Sequence, residues 1–310
     1  MKKIRAFAPA TVANVACGFD ILGFAVESPG DEVIITLTDE PGVKIISIEG
    51  DDGKLPLDAA RNTVSLVIQE YLDHIEKSDL GVSIELIKKM PLKSGLGSSA
   101  ASSVVGVYAL NKLLGSPLTD LELLPFAMKG EELACGSAHA DNVAPALLGG
   151  FVLVRSYNPL DVIKLPTPQR LYATIIHPHI EVKTKDARSI LRADIKMKDA
   201  VVQWGNVAGL VAGIMTEDYD LIGRSLEDVL VEPVRSLLIP GFDKVKQEAI
   251  NAGALGCSIS GSGPSIFALS TDKGVAAQIG HAMTEVFDEL NVQSEVYISK
   301  VSDQGPKIIE

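Results

Sequence analysis

Apolar residues along the chain follow two rhythms that exchange places repeatedly. In the first half, Asp31 to Thr38, Val43 to Glu49 and Val82 to Leu86 read as β-rich runs. Between the second and third, Asn62 to Ile75 carries apolar residues at helical spacing. Ser102 to Leu114 repeats that spacing through Val104, Val105, Tyr108 and Leu113, and Gly115 and Pro117 stop it. Thr119-Asp120-Leu121-Glu122 is a capping-box pattern that predicts a helix running to Leu133 before Gly136, with Pro125 tolerable near its first turn. An apolar strand, Gly150 to Arg155, then precedes SYNPLDVIKLPTPQR, whose three prolines mark the expected boundary between the halves. The second half opens with a strand at Leu171 to His177. Helical patterns follow at Asp199 to Met215 and Gly241 to Ala252, then a strand (Ser265 to Leu269), a helix (Gly274 to Leu290) and a last strand (Ser294 to Val301). The chain shows no internal repeat, no low-complexity tract and no heptad array long enough for a coiled coil.

A chain of 310 residues suits two domains, expected at 1–160 and 161–310. Its 46% hydrophobic and 22% charged residues are those of a folded globular protein. The formal charge of -12 argues against nucleic acid or an anionic membrane as partner, so a small solute is expected. An anionic solute must then be met by local Arg or Lys. Cys17, Cys135 and Cys257 are odd in number and far apart, without disulfide or zinc spacing. They read as reduced thiols, and with no signal-like apolar run behind the basic amino terminus the expected location is the cytoplasm.

The strongest local signal is PLKSGLGSSAA, comprising Pro91, Leu92, Lys93, Ser94, Gly95, Leu96, Gly97, Ser98, Ser99, Ala100 and Ala101. Two glycines and two serines directly before a helix let the backbone approach a polyanion at the positive end of the helix dipole. The segment lacks the G-K-[ST] ending of a Walker motif and is not G-x-G-x-x-G. A plain strand-to-helix turn is the alternative.

Two further segments settle that choice. Ala8 to Val26, APATVANVACGFDILGFAV, precedes the loop, and Gly256 to Leu269, GCSISGSGPSIFAL, follows it. In order and approximate spacing the three together resemble the galactokinase, homoserine kinase, mevalonate kinase and phosphomevalonate kinase superfamily. Through Pro9-Ala10-Thr11, Asn14, Gly18-Phe19-Asp20 and Leu22-Gly23 the first segment is most similar to homoserine kinases, as are His139-Ala140-Asp141-Asn142 and Pro145. Val15-Ala16-Cys17 departs from the Leu-Gly-Pro usual there.

The resemblance implies an α+β, two-domain small-molecule kinase fold. Its N-terminal α/β domain carries the phosphate loop and its C-terminal domain is a ferredoxin-like α/β sandwich, with the active site in the cleft between. It implies MgATP, L-homoserine as acceptor, O-phospho-L-homoserine as product and a place on the way to threonine. A zwitterion bearing a hydroxyl needs an acceptor for its ammonium, a guanidinium for its carboxylate and a group to orient the hydroxyl. The resemblance assigns Asp20 and Asn14 to the ammonium, Arg188 and Arg235 to the carboxylate, and His139 and Asn142 to the hydroxyl end. Asp141 stands as a candidate base, with orientation by Asn142 the preferred role. Glu131 and Glu132, near the end of a helix where negative charge opposes the dipole, suggest a cation. The resemblance selects Glu131 and Ser99 as ligands, with Glu132 and Ser98 beside them. Gly261, Ser262 and Gly263 would approach the phosphates, and Asn62 the adenine, although an Asn there also serves as a helix cap. A homodimer is the base-rate assembly. Alternative readings are a superfamily kinase of mevalonate, a sugar or another alcohol, and a non-catalytic ligand-binding or regulatory protein that kept the fold.

Overall fold

The computed structural model describes residues 2–136, 139–182 and 184–310, without the side chains of Ala134, Cys135, Thr184 and Lys185. The expected free thiol of Cys135 therefore lies outside the described residues, whereas Cys17 and Cys257 are free and buried.

The chain opens on β1 (Lys3–Ala13) and a long β2 (Leu22–Thr38), followed by β3 (Gly42–Glu49), helix α1 (Thr63–His74) and β4 (Gly81–Ile87). Three helices follow, α2 (Ser98–Leu113), α3 (Asp120–Cys135) and α4 (Ala140–Leu148), and then the hairpin β5 (Phe151–Tyr157) and β6 (Leu160–Leu165). Next come β7 (Tyr172–Pro178), α5 (Thr184–Ser189), α6 (Met197–Thr216), α7 (Tyr219–Ser225), α8 (Glu232–Arg235) and α9 (Phe242–Asn251). β8 (Gly256–Ile259), β9 (Ile266–Ser270), α10 (Lys273–Glu289), β10 (Ser294–Lys300) and β11 (Lys307–Ile308) complete it.

Among the described residues these strands form two sheets. The larger runs β11-β1-β2-β4-β3, with β5 and β6 continuing from the first part of β2; only β3 and β4 pair in parallel. The smaller is antiparallel in the order β10-β7-β9-β8. Numbered along the chain its strands run 4-1-3-2 with α9 and α10 between them, which is the ferredoxin-like arrangement expected. The first sheet draws on both sides of residue 160, because β6 pairs with β5 and β11 with β1.

The smaller sheet is covered on both faces, and its pleat sorts the residues. Ala173, Ile175, Phe267 and Leu269 face the large core shared with the first sheet, while Ile176, Ile266 and Ala268 face the core built with α9 and α10. Double coverage is why β7 and β9 read as continuous apolar runs.

Local pattern located β3, β4, α1, α3, α6, α9 and α10 to within two residues of where they lie. Three departures have physical causes. β1 and the front of β2 went unread because Pro9, Pro29 and Gly30 look like breakers, yet Pro9 pairs with Gly30 at an irregularity in the β1–β2 register. α2 starts at Ser98, four residues before the apolar rhythm, since its first turn is made of Ser and Ala. The proline-bearing stretch 156–170 folds in part as the β5–β6 hairpin, held through side-by-side pairing of Val152 with Lys164 and Val154 with Val162.

α2 sits at the centre, buried on nearly every side, and small residues let its neighbours close in. A Cβ on Gly106 would stand 2.5 Å from Val64 Cγ2 of α1. Asn111, fully buried, accepts from Tyr71 Oη at 2.8 Å and donates to Leu118 O at 2.9 Å. The α1–α2 approach therefore sets where the front of α2 points. Gly106→Val is expected to lower the free energy of unfolding by ~1–3 kcal/mol through overpacking; urea denaturation measures this, and an unchanged midpoint would show that the two helices are not in tight contact.

Candidate active site

The front of α2 is built to receive an anion. Gly97 is its N-cap, at φ +66° with no side-chain cap, and Ala101 is the first residue whose N–H bonds to the turn, at 2.8 Å to Gly97 O. The N–H groups of Ser98, Ser99 and Ala100 therefore lack an intrahelical partner at the positive end of the dipole. Close approach makes the same demand for glycine as φ does. A Cβ on Gly97 would lie 2.1 Å from Thr11 Oγ1 and 2.8 Å from Asn142 Oδ1, and one on Gly95 would lie 2.4 Å from Ser260 O.

The three glycine-bearing segments bond directly to one another. Thr11 N–H donates to Leu96 O at 3.1 Å, Ser265 N–H to Ser94 O at 3.1 Å, and Ser260 Oγ to Gly95 O at 2.7 Å. Gly261 N–H donates to Ala13 O at 3.2 Å, and Gly261 O accepts from Asn14 Nδ2 at 2.7 Å and from Arg235 Nη1 at 3.1 Å. Thr11 Oγ1 donates to Asn142 Oδ1 at 2.8 Å, which leaves the Asn142 amide N–H groups to face the cleft it lines.

After β1 the chain makes a left-handed turn in which Asn14, Val15 and Ala16 all have positive φ, as does Asp20. Such backbone is costly for residues with a Cβ and persists only where neighbours fix it. Here Asn14 Oδ1 accepts from Asp20 N–H at 3.0 Å, Gln203 Nε2 donates to Cys17 O at 2.8 Å, and Tyr157 Oη donates to Asp20 O at 2.6 Å. The turn presents Asp20 to two arginines and a histidine. Arg188 Nη2 donates to both Asp20 oxygens, at 2.7 and 2.9 Å, and to His139 Nε2 at 2.9 Å. A guanidinium only donates, so His139 Nε2 carries the lone pair and Nδ1 the proton. Burial lowers the His139 pKa, which keeps the ring neutral. Arg235, buried, donates through Nε to Ala187 O at 3.0 Å, and its guanidinium lies 4.9 Å from the centre of the Phe19 ring, with that of Arg188 at 5.4 Å.

Ser99 Oγ donates to Glu131 Oε2 at 2.7 Å, joining the front of α2 to the last turns of α3. Glu131 is buried and faces the cleft, whereas Glu132 is exposed. Among the described residues no three His, Cys, Asp or Glu gather as a metal site. One carboxylate and one hydroxyl beside an anion cradle do suit Mg2+, which keeps waters and takes its remaining oxygens from phosphates.

These segments border one cleft of about 1060 Å³. It brings together Asn14, Asp20, Asn62, Leu92, Lys93, Ser94, Gly95, Gly97, Ser98, Ser99, Glu131, His139, Asp141, Asn142, Arg188, Arg235, Gly261 and Ser262. Pro91, Leu96, Ala100, Ala101 and Gly263 do not line it, and Leu96, Ala100 and Ala101 belong to the core beneath. Asn62 caps α1 through Val64 N–H at 3.2 Å and donates to Pro56 O at 2.9 Å, so the helix cap foreseen for it is present at the cleft wall.

Sequence reasoning missed four residues. Phe19 supports both guanidiniums and Tyr157 pins the Asp20 carbonyl. Lys88, buried in an ion pair with Asp31, donates to Ser98 O at 3.0 Å and Ser102 Oγ at 2.7 Å, bracing the first turn of α2. Gly23 was quoted only as part of a motif, yet a Cβ there would lie 1.8 Å from Asp141 O, so it admits the front of α4 against β2. The motif around Phe19 and Gly23 and the adjacent lysines 88 and 89 before the loop were the available signals.

Family models match the chain twice, the GHMP kinases N terminal domain over residues 62–150 and the GHMP kinases C terminal over 210–289. The homoserine kinase of Chlorobium phaeovibrioides is 54% identical over 321 aligned residues, covering 100% of both chains. That of Pyrococcus abyssi is 40% identical and covers 97% of each. Among solved structures, the homoserine kinase from Cytophaga hutchinsonii superposes with a TM-score of 0.97 at 65% identity, over 100% of this chain and 98% of that one. An L. major mevalonate kinase in complex with R-mevalonate shares the fold at a TM-score of 0.71 and 18% identity, over 95% of each chain.

Asp141 gives the site a titration that stability can report. Burial, followed by the charges of Asp20 and Glu131, pushes its carboxyl up to about 7. An acid whose folded pKa exceeds its unfolded value of ~3.9 takes up protons on folding, so the group costs stability as pH rises from about 4 to 7 and above. Asp141→Asn is expected to be more stable than the parent at pH 8 by roughly 2–4 kcal/mol and equal to it near pH 4. Urea unfolding at the two pH values measures the gap, and one that does not change with pH would show that the carboxyl is not held neutral.

Proposed function

The chain belongs to the GHMP kinase family and is an ATP-dependent kinase of a small molecule, and we propose that its acceptor is L-homoserine, phosphorylated to O-phospho-L-homoserine on the way to threonine. The observation that carries this reading is the pairing of Asp20 with Arg188, beside buried Arg235, at the end of the cleft that holds Asn142. The two partners are a mould of an amino acid's charged end. The substrate ammonium replaces Arg188 on Asp20 while the substrate carboxylate replaces Asp20 on Arg188, with unused Arg235 N–H groups as second donors. Each charge leaves one partner for another, so little desolvation is added. A sugar, or an acid without an amine, would strip Asp20 of its cation and give nothing back.

In this reading the two domains divide near residue 160, with β6 and β11 completing the sheet of the first, and the nucleotide enters along the first. Its adenine sits beside Asn62, Pro56 and Leu55, and its phosphates lie on the N–H groups at the front of α2 and against Gly261 and Ser262. Glu131 and Ser99, with Ser98 and Glu132 beside them, would hold Mg2+, whose chemistry is to neutralise charge on the phosphates. Asn142, fixed by Thr11, turns an amide N–H to the substrate hydroxyl and so aims the oxygen's free lone pair along the line of attack. The new O–P bond forms as the β,γ-bridging P–O bond breaks. Asp141, in the same cleft, can take the hydroxyl proton only in its ionised form, which a carboxyl pushed up to about 7 reaches in part at neutral pH, while orientation and charge neutralisation supply most of the rate. Among the described residues no helix is long and apolar enough to cross a membrane, and a cytoplasmic location belongs to the same reading.

ADP release with MgATP is expected with L-homoserine and not with D-homoserine, L-serine, mevalonate or galactose. Asp20→Ala is expected to raise the homoserine KM by ~30-fold or more, the loss of a charge-assisted hydrogen bond of ~2–3 kcal/mol. Faster turnover of another alcohol, or an unaltered KM in that variant, would overturn the acceptor assignment. In a separate test of the phosphate cradle, Gly97→Val is expected to weaken ATP binding at least ~10-fold, or ~1.4 kcal/mol, in a protein whose far-ultraviolet circular dichroism is unchanged; normal nucleotide affinity by calorimetry would sink that placement.

A further inference from the structure

Tyr157 closes β5 and pairs with Leu160 across the turn of the β5–β6 hairpin. Its hydroxyl stands between two elements that carry opposite ends of the site. It donates to Asp20 O at 2.6 Å and accepts at 3.3 Å from the N–H of Ala140, the first residue of α4. The ring lies edge-on to that of His139, at 89° with centroids 6.5 Å apart. One oxygen thus spends its proton on the turn that presents Asp20 and a lone pair on the helix that presents Asn142. Both contacts meet groups that need a partner. Asp20, at φ +63°, has its N–H taken by Asn14 Oδ1 and its carbonyl by the phenol, so the residue is held from both sides. α4 has no side-chain cap at His139, and Ala140 N–H is one of the first-turn donors that a helix leaves without an internal partner. Partial burial, then the charge of Asp141, raises the phenol pKa and keeps the group a donor at neutral pH.

We propose that Tyr157 is a positioning residue that fixes the distance from Asp20, the ammonium acceptor, to Asn142, which orients the hydroxyl, and so selects an acceptor with the carbon chain length of homoserine. The inference rests on the reading of L-homoserine as acceptor. Two links connect the ends of the site. One runs along β1, where Thr11 Oγ1 holds Asn142 and, just past the end of the strand, Asn14 holds Asp20. The other is the phenol, which joins Asp20 directly to the front of α4 and closes the ring of contacts. With the first link alone the turn can pivot about Asn14, and the positive φ angles of Asn14, Val15, Ala16 and Asp20 give it a reason to relax. With both links the gap neither widens nor narrows. The same phenol ring backs His139, which takes a hydrogen bond from Arg188, so the carboxylate clamp keeps its place in the same frame. L-serine, L-homoserine and L-2-amino-5-hydroxypentanoate share one charged end, and Asp20 and the arginines alone cannot tell them apart. They differ in where the hydroxyl falls. One methylene more or less moves it by about 1 Å, and a misplacement of that size costs roughly 100-fold in rate.

Steady-state kinetics of the parent and of Tyr157→Phe with MgATP and these three acceptors test the proposal. Phenylalanine keeps the ring against His139 and removes only the oxygen, from a residue that is 40% exposed, and circular dichroism with a urea midpoint checks that the fold is kept. The variant is expected to lose ~10-fold or more with L-homoserine, more in kcat than in KM. Its preference for L-homoserine over each neighbour, as a ratio of kcat/KM values, is expected to fall by ~10-fold or more, with the KM for MgATP unchanged. A general loss of structure lowers all three activities in proportion and leaves that ratio where it was. Arg155→Ala, which breaks the exposed Arg155–Asp161 pair on the same hairpin, is expected to keep the parent's ratios. A selective parent with an equally selective Tyr157→Phe variant would overturn the proposal alone, as would an Arg155→Ala variant that loses selectivity to the same extent. A parent that turns over L-serine as readily as L-homoserine would overturn the acceptor reading and this inference together.

Discussion

The Gly261 backbone ties the two sheets together at the cleft, and the placement of Asn14 and Arg235 follows from that tie. Its N–H is taken by Ala13 at the end of β1, and its carbonyl serves Asn14 and Arg235 together. One residue from the smaller sheet's side thus fixes where the left-handed turn begins, where the buried arginine points and how far the Gly95 loop stands from Ser260. A Cβ at Gly95 would meet the Ser260 backbone, and one at Gly97 the side chains of Thr11 and Asn142. The glycines are the condition for three segments, far apart in the chain, to share hydrogen bonds without a layer of side chains between them.

Electrostatics follows the same economy. A chain of net charge -12 must still gather cations around an anionic nucleotide and a carboxylate. It does so by giving two site cations their own carboxylates, Asp31 for Lys88 and Asp20 for Arg188, while the buried Arg235 guanidinium is held by the carbonyls of Ala187 and Gly261. The two pairs differ in what lies next to them. Lys88 and Asp31 are sealed under α2 and serve structure, whereas Arg188 and Asp20 are partly open to the cleft and can be parted by a ligand that carries both charges. Exposure, and not the pairing itself, separates a structural ion pair from a recognition element here.

α6 supports the same left-handed turn from its buried face, through the Gln203 amide on the Cys17 carbonyl, while its outer face is exposed and apolar. The same division between faces runs through β7 and β9, where each face already has its cover.

The sequence by itself determined the local grammar. Helical and strand periodicities placed most long elements, and the Gly-Ser junction announced an anion site. The order of three motifs carried the family, and residues from all of them meet in the cleft. Tertiary structure alone decided the rest, because the remaining facts are pairings. β1 and the front of β2 are strands only because Pro9 and Gly30 meet across the register. Phe19, Tyr157 and Lys88 matter through residues 137 to 216 positions away or through a helix end, and no window of sequence contains both partners. Gly23 and Gly97 were visible as glycines, but the atoms that forbid a Cβ there, Asp141 O and Thr11 Oγ1, belong to other elements. Periodicity is a property of neighbours along the chain, whereas close approach and charge pairing are properties of neighbours in space, and only folding makes the second kind.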